Sequence, residues 1–527
     1  MAFHGSTQIP FESAAIIALH PQTHGIHHTD QFLGVRIARP GRGQKILQRF
    51  AKFSHFHQIA CCFNIGSGRA CQQNRKRKTK NDEMMTHLKS LIVLIWVIAA
   101  SPVSLFANDL PRALQPDDFI AFDAKQAQLG QLLFYDKILS GNRNISCGTC
   151  HHHDHGSADG LSLGIGEGGF GVGPDRTAGT GADRIAKRIP RNATALWNLG
   201  AKEITALFHD GRLERSDAYE NGFNSPAEEW LPEGLPNLLA AQALLPMTSQ
   251  FEMAGDPKEN EVAGAAYDRI DKVWPILAKR VRSLPAYADR FADAFDRVEI
   301  ATDITIIEIA EALAAFMGTE WQSSDSPFDA YLAGDASALA PAQKNGLDLF
   351  YGKAACSTCH SGPLLSDQKF HALTLPPIGP GRTRLFDPYA RDVGRMGETD
   401  DLDDAYRFRT PSLRNVTLTA PYGHNGAYPD LRGIIEHHLD ALGGLQRWQR
   451  DMAHLPEAPW LKPVDFVALD DKREMARLRS RVDIQPVSLQ DEEVDDLIAF
   501  LHALEGSGAE RPPLGRPESV PSGLPVD

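Results

Sequence analysis

The sequence predicts an all-α protein built from two related helical domains, and three observations lead to this. A ten-residue stretch occurs twice, at 128–137 and at 344–353, and both copies place apolar residues at helical spacing. A Cys-x-x-Cys-His motif follows each copy. The stretch 491–504 is acidic at its start and then apolar at helical spacing, which is typical of a closing helix. Two copies of a helix followed by the same motif indicate two small domains of one kind.

The beginning of the chain predicts export. Met84, Met85 and Lys89 open a short polar start before an unbroken apolar run at 91–100. Ten apolar residues are too few to span a bilayer, so we expect a cleaved signal peptide and no permanent membrane anchor. Residues 1–83 are then a non-native extension ahead of the true start codon; the alternative is a nucleic-acid-binding arm around the basic run 75–78.

Charge and cysteine usage narrow the function further. The full chain has a net charge of −13, and loss of the basic residues 1–107 makes the remainder more acidic, which excludes nucleic acid as a partner. Of the seven cysteines, three lie upstream of the apolar run, at positions 61, 62 and 71. The other four all belong to the two Cys-x-x-Cys-His motifs, so none is left for a disulfide.

The two motifs predict covalent haem. They consist of Cys147 and Cys150 with His151, and of Cys356 and Cys359 with His360. At this spacing two thiols add across the vinyl groups of one haem, and the adjacent His faces the iron as proximal ligand. The alternative is a zinc or redox Cys-x-x-Cys with a chance His beside it. Two motifs that use every cysteine behind an export signal favour two c-type haems.

These features divide the chain into five parts. The parts are the extension 1–83, the signal peptide 84–107, an N-terminal haem domain with its helical connection 108–325, a C-terminal haem domain 326–505 and a tail 506–527. Pro and Gly dominate the tail, and we expect it to be disordered.

From Ala121 to Leu504 the chain resembles the bacterial di-haem cytochrome c peroxidases and their relative MauG. Besides the haem motifs, the resemblance rests on Leu139-Ser140-Gly141, Arg191-Asn192-Ala193-Thr194, Phe208-His209-Asp210-Gly211-Arg212, Glu252-Met253 and the run 411–422. It implies two cytochrome-c-like helical domains, each with one covalent c-type haem, and a calcium ion between them. The implied function is periplasmic reduction of hydrogen peroxide to water, with electrons from a small cytochrome or cupredoxin.

The resemblance also implies that the first haem is the peroxidatic one, with a distal Gln and Glu ten residues apart. Gln242 and Glu252 keep that spacing. Breaking the O–O bond needs a base that takes a proton from one peroxide oxygen and returns it to the other, which is the role expected of Glu252. Gln242 would orient the peroxide, and partial burial of Glu252 would raise its pKa. Without the resemblance, the pair would be read as the solvated end of a helix.

The second haem, the electron-transfer haem, is expected to have two axial ligands. In the family its distal ligand lies sixteen residues after the Tyr of Ala-Pro-Tyr and is Met or, in MauG, Tyr. Here the count from Tyr422 reaches His438. Two imidazoles hold ferric iron better than His and Met, so this haem is expected to be the less oxidising kind. His437 would face roughly 100° away on a helix and is the alternative ligand, and an exposed His pair is a third reading.

The first haem is expected to be five-coordinate. Many family members cap it with a His ahead of the Arg-Asn motif, but no His occurs between His155 and His209 in this sequence. The neighbours of the proximal ligand, His152, His153 and His155, are expected to be surface residues or propionate contacts.

Two further roles follow from the resemblance. His209 stands where the family has a Trp between the haems, and it is the candidate electron relay, with Trp230 of the insert at 212–242 as a possible substitute. Calcium would be held by the side chain of Asn192 and the backbone carbonyls of Thr419 and Pro421. The alternative for Asn192 is a helix cap.

Two other functions stay open at this point. One is MauG-like, ferryl-dependent oxidation of a partner protein. The other is a plain di-haem electron-transfer cytochrome, which would have two six-coordinate haems. The sequence does not identify the electron donor, and a homodimer remains an open oligomeric state.

Overall fold

The architecture is rich in helices and has a few short strands. The computed structural model describes residues 110–181, 184–382 and 391–527, all within the unit Pro102–Asp527. The predicted extension 1–83 and signal peptide 84–107 lie outside the described residues. Within the described residues, no helix has the length and apolar character needed to cross a membrane.

The first half contains seven α-helices among its described residues. They are α1 Ala124–Tyr135, α2 Cys147–Cys150, α3 Leu238–Ala243, α4 Glu261–Asp268, α5 Val273–Arg282, α6 Pro285–Ala294 and α7 Ile306–Glu320. Helix α1 begins after Asp123, whose carboxylate accepts hydrogen bonds from two backbone N–H groups of the first turn. Helix α7 begins with a capping box between Thr305 and Glu308. The predicted helical connection at 238–325 is helical.

The described part of the second half adds eight α-helices. They are α8 Pro327–Leu332, α9 Pro341–Tyr351, α10 Met396–Thr399, α11 Leu431–Leu439, α12 Ala441–Arg447, α13 Val467–Asp470, α14 Lys472–Arg479 and α15 Asp491–His502. The acidic first turn of α15 is favourable beside the positive end of the helix dipole. The predicted closing helix is therefore confirmed.

Five short strands correct the all-α prediction in detail. They are β1 Ala206–Leu207, β2 Leu213–Arg215, β3 Phe223–Asn224, β4 Phe370–His371 and β5 Phe408–Arg409. The first three form an antiparallel sheet in the order β1-β2-β3, in which Glu214 pairs with Ala206 on one side and Asn224 on the other. Strands β4 and β5 form a second antiparallel pair. The insert after Gly211 forms strands because it lacks a long stretch of apolar residues at helical spacing.

The two sequence repeats form the same helix crossing twice. Helix α1 crosses α7 at Gly130, where an added Cβ would lie 1.8 Å from the carbonyl oxygen of Ala312. Helix α9 crosses α15 at Gly346, where an added Cβ would lie 1.9 Å from the carbonyl oxygen of Asp496. Only Gly permits such close backbone contact. The largest hydrophobic cluster surrounds the first crossing and a separate one surrounds the second.

Residues 506–527, which we call the strap, are not a disordered tail, and that prediction was wrong. Val520 is 6% exposed and belongs to the hydrophobic cluster around α1. The hydroxyl of Ser522 donates to Asp136 Oδ1 at 2.6 Å, and Lys137 Nζ donates to Asp527 Oδ1 at 2.5 Å. We predicted disorder from the Pro and Gly content of this segment. That content indicates only that the segment forms no helix or strand. It does not exclude packing of that segment on another part of the chain.

Candidate active site

The second Cys-x-x-Cys-His motif opens onto a large cavity. Cys356, Cys359 and His360 line this space of about 720 Å³ together with apolar side chains. Cofactor cavities usually have volumes of about 300–1,000 Å³. The size and lining of the cavity therefore fit a haem attached at this motif.

Two imidazoles face each other across this cavity. The ring centroids of His360 and His438 are 6.5 Å apart. Two imidazoles that bind one metal ion through bonds of about 2 Å would have their ring centres about 6 Å apart. The Nδ1 atom of His360 bonds the carbonyl oxygen of Leu365 at 3.1 Å, and the Nδ1 atom of His438 bonds that of Ile434 at 2.7 Å. These bonds leave both Nε2 atoms for an ion in the cavity.

Burial keeps both rings neutral. It lowers the pKa of His360 to about 4 and also lowers the pKa of His438. Neutral imidazole is the form that binds a metal ion. The two side chains therefore have the separation and the protonation state expected of axial ligands.

His437 does not take part in this arrangement. Its Nδ1 atom bonds the hydroxyl of Tyr428 at 2.7 Å, and its Nε2 atom bonds the carbonyl oxygen of Leu373 at the same distance. Both nitrogens are thus committed to protein partners, and His437 is 1% exposed. Of the two neighbouring histidines, His438 is the one that lines the cavity.

The first motif forms α2 and is packed into the larger hydrophobic cluster. Cys147 and Cys150 pack against that cluster, and the Nδ1 atom of His151 bonds the carbonyl oxygen of Ser157 at 3.0 Å. Burial lowers the pKa of His151, which keeps its ring neutral. The hydrogen bond leaves the Nε2 atom of His151 available, as at the second motif.

The glycine-rich loop lies directly against the segment that carries Glu252. An added Cβ at Gly166 would lie 2.0 Å from the carbonyl oxygen of Phe251 and 2.9 Å from the Cα of Glu252. Glu252 itself lies in a single π-turn, Gln250–Ala254. Such turns are rare and occur often at functional sites. Gln242 lies near the end of α3 and is half-buried.

The charge state of Glu252 is set by opposing effects. Burial raises the pKa of its carboxyl, and the positive charges of Arg212 and Arg382 partly oppose this shift. Burial also raises the pKa of the Cys150 thiol to about 12, and the negative charge of Glu252 adds a smaller contribution in the same direction. Of the two predicted distal residues, Gln242 therefore lies in α3 and Glu252 in the π-turn that follows it in the chain. The pKa of the Glu252 carboxyl is raised.

The comparisons with known proteins identify the family. The model of the di-haem cytochrome c peroxidase family matches residues 124–337. The cytochrome c551 peroxidase of Pseudomonas aeruginosa is 30% identical over 311 residues, which cover 59% of this chain and 70% of that enzyme. The chain belongs to the di-haem cytochrome c peroxidase family. It is therefore an oxidoreductase of the peroxidase type, and its family implies two c-type haems.

Other similar proteins include MauG. The methylamine utilization protein MauG of Methylorubrum extorquens is 29% identical over 325 residues, which cover 61% of this chain and 70% of MauG. A solved crystal structure of a MauG-like protein associated with microbial copper homeostasis shows 27% sequence identity to this chain. The match covers 78% of this chain and 97% of that protein's chain, with a TM-score of 0.48.

In this di-haem peroxidase His209 occupies the wall of the cavity. Its Nε2 atom lies 3.1 Å from the hydroxyl of Thr194 and 3.2 Å from the carbonyl oxygen of Asn192. Burial and the nearby charge of Arg191 lower the pKa of His209 to about 4, so the ring is neutral. Trp230, the proposed substitute, lies instead at the surface, 41% exposed, with the guanidinium of an arginine above its ring.

The predicted calcium ligands all belong to the lining of the same cavity. Asn192, Thr419 and Pro421 all line it. The Nδ2 atom of Asn192 donates to the carbonyl oxygen of Leu161 at 2.8 Å, which leaves its amide oxygen for another partner. Asn192 also does not cap any of the helices described. The donor set of one amide oxygen and two carbonyls is of the type that calcium prefers.

Sequence analysis missed two features of the site. Asp210 is fully buried, and Arg191, Arg212 and Arg382 surround its carboxylate. Burial alone would raise the pKa of Asp210, but the three guanidinium groups hold it well below its usual range. The Asp-Gly-Arg run in the sequence was the available signal.

The second missed feature is a group formed by Cys359, Asp367 and His371, whose ligand atoms lie within 4.8 Å of one another. His371 Nε2 bonds Asp367 Oδ2 at 2.9 Å. Because Cys359 is the predicted haem attachment, this group belongs to the second haem site.

The histidines after the first motif are not surface residues, so the surface alternative of our expectation is wrong and propionate contact stays a prediction. His152 is 1% exposed, and His153 bonds two buried side chains. His155 is half-buried, and its ring lies 5.7 Å from that of His152. They were misplaced because the strap and α7, which cover this region, are distant in the sequence.

Proposed function

We propose that the enzyme reduces hydrogen peroxide to water with electrons from a small redox protein, a cytochrome or a cupredoxin. The observation that carries this proposal is Glu252, a half-buried carboxyl with a raised pKa whose segment packs against the glycine-rich loop that follows the first haem motif. A plain electron carrier needs no acid or base there. A peroxidase does, because breaking the O–O bond moves a proton between the two oxygens.

Haem attached at the first motif would supply the redox change. Cys147 and Cys150 would hold it, with His151 as the proximal ligand. The Glu252 carboxylate would accept a proton from one peroxide oxygen and return it to the other. Gln242 donates a hydrogen bond that orients the peroxide.

The second motif provides a closed site for electron transfer. His360 and His438 would hold the iron of a haem in this cavity, and that haem would supply electron transfer. Cys356 and Cys359 would attach the group, and His209 lies on the cavity wall on the side of the first domain. We propose His209 as the residue through which electrons pass between the domains. In this role its imidazole ring stays neutral and is not itself oxidised.

Three further parts of the proposal concern the surroundings of the site. Calcium held by Asn192, Thr419 and Pro421 would tie the 108–325 and 326–505 domains together at the cavity. Residues 84–107 would direct the protein to the periplasm, where c-type haem and a small electron donor are both available. Association as a homodimer is part of the same proposal and is tested by mass measurement in solution.

A second candidate function is oxidation of a partner protein, as in MauG. The observation that favours it is the absence of any His between His155 and His209, which removes the usual capping ligand of the first haem. The bis-histidine arrangement at the second motif differs from the Tyr expected of a close copy of MauG. We therefore place peroxide reduction first.

A steady-state assay with peroxide and a reduced small cytochrome tests the proposal. We expect two cytochromes to be oxidised for each peroxide consumed. Glu252→Gln should lower the rate by about 10²–10⁴-fold, the usual contribution of a positioned acid or base. The matched control is Glu229→Gln, because Glu229 is an exposed carboxylate in the neighbouring insert. Peroxide consumption without oxidation of any cytochrome would favour the MauG-like function.

A further inference from the structure

We propose that Tyr135, His153 and Glu320 form a redox triad beside the first haem motif. In this triad Tyr135 gives an electron to the peroxide-oxidised haem site and its phenolic proton to His153. The inference rests on the proposed function, because reaction with peroxide supplies the oxidant. The triad would act when no donor protein is bound.

Tyr135 lies directly against the loop that attaches the first haem. It is the last residue of α1 and is fully buried. An added Cβ at Gly148 would lie 2.3 Å from the Cε1 atom of the Tyr135 ring. Because Gly148 stands between Cys147 and Cys150, the phenol ring packs on the backbone that carries both attachment points.

The phenol has a hydrogen-bonding partner that can take its proton. The Tyr135 hydroxyl bonds the Nδ1 atom of His153, and the two rings are stacked with centroids 5.7 Å apart. The Nε2 atom of His153 bonds Glu320 Oε1 at 2.7 Å. Since Glu320 accepts at Nε2–H, the Nδ1 atom is left as the acceptor for the phenolic O–H.

Glu320 is held in place by the strap. It is fully buried, and its two oxygens accept hydrogen bonds from the backbone N–H groups of Leu514 and Gly515, each at 2.8 Å. A buried carboxylate is tolerated only when it is hydrogen-bonded or paired. The strap therefore supplies two hydrogen-bond donors to Glu320, and Glu320 in turn fixes the tautomer and direction of the His153 ring.

The step balances in electrons and atoms. The Tyr135 O–H bond breaks, an N–H bond forms at His153 Nδ1, and one electron goes to the oxidised haem site. Hydrogen peroxide takes up two electrons and two protons in forming two waters, so Tyr135 can supply one of the two electrons. A later electron from the donor protein, with return of the proton from His153, restores the phenol.

The second repeat provides an internal comparison. Tyr351 occupies the position of Tyr135 at the end of α9, yet its hydroxyl has no hydrogen-bond partner among the described residues. The residue two positions after the second proximal His is Gly362, where the first motif has His153. Loss of an electron by a phenol is far easier when its proton can leave, so of the two repeat tyrosines Tyr135 is the one equipped for oxidation.

The test is electron paramagnetic resonance of the holoenzyme, frozen after mixing with hydrogen peroxide in the absence of a donor. We expect a tyrosyl radical whose signal narrows when the protein contains ring-deuterated tyrosine. Tyr135→Phe should abolish this signal, and His153→Gln should lower its yield. The matched control, Tyr351→Phe, should leave it unchanged.

The outcomes separate the triad from the proposed function. If peroxide changes the haem absorption bands but no tyrosyl signal forms, the triad is overturned and the peroxidase proposal stands. A tyrosyl signal that persists in Tyr135→Phe overturns the triad as well. Haem bands that do not respond to peroxide overturn the proposed function and the triad with it. Ring-deuterated tyrosine in the parent protein identifies a tyrosyl radical without any substitution. The test therefore remains valid even if a variant folds poorly.

Discussion

The imidazole rings of His360 and His438 lie 6.5 Å apart on opposite sides of the second-motif cavity. Each ring is oriented by a hydrogen bond from its Nδ1 atom to a backbone carbonyl of its own segment. Such backbone bonds set both the tautomer and the direction of a ligating histidine. Both rings of the proposed ligand pair therefore have a fixed tautomer and direction.

The first prediction separates His438 from its neighbour. In the resting ferric protein we expect one high-spin signal from the first haem and one low-spin signal from the second in electron paramagnetic resonance. His438→Ala should convert the low-spin signal to high-spin, because it removes an axial imidazole.

The control is His437→Ala, which should leave the low-spin signal in place because both His437 nitrogens already bond protein groups. Two low-spin signals in the parent protein would contradict an open first haem and favour a plain electron carrier. An open first haem should also react with peroxide without prior reduction.

The second prediction concerns haem attachment. Cys147→Ala and Cys356→Ala should each remove one covalently bound haem from the exported protein, since attachment at a Cys-x-x-Cys-His motif uses both thiols. Mass spectrometry of the intact protein after acid-acetone extraction measures the haem number. A parent protein with fewer than two haems would falsify the attachment proposal.

The third prediction follows from the raised pKa of Glu252. Only the carboxylate can accept the peroxide proton, so the rate of the peroxide reaction should rise with pH as Glu252 ionises. The midpoint should lie above the ordinary glutamate value of about 4.3. Arg212→Gln removes a positive charge that favours the carboxylate, and it should move the midpoint to higher pH.

Stopped-flow measurement of the reaction across a pH series gives both midpoints. Arg215→Gln is the matched control, because Arg215 is exposed on β2 and should not affect Glu252. A midpoint that is the same in the parent and in Arg212→Gln would show that the arginine does not act on the catalytic carboxyl.

The fourth prediction tests whether the strap is part of the fold. Val520→Ala removes apolar contacts from a buried site and should lower the free energy of unfolding by about 1–2 kcal/mol, from about 0.8 kcal/mol for each buried methylene. Thermal unfolding of the holoenzyme detects this as a lower midpoint. Ser519→Ala, at an exposed position beside it, should have no effect. Equal midpoints for the two variants would mean that the strap is not packed in solution.

Much of the site was predictable from the sequence because its chemistry is local. The spacing of Cys147, Cys150 and His151 within one helical turn is enough to indicate haem attachment. The repeat around Gly130 and Gly346 predicted two related helices, and the structure shows both crossing a second helix at those glycines.

Only the tertiary structure decided which segments that are distant in the sequence contact each other. His153 and Glu320 are 167 residues apart in the chain, and the strap residues that hold Glu320 follow almost 200 residues later. Sequence periodicity reports which face of one element is buried, but it does not report which element covers that face. The strap was misjudged for this reason. Its order comes from the hydrophobic surface and the buried carboxylates of the first domain, and these become neighbours only once α1 and α7 have packed.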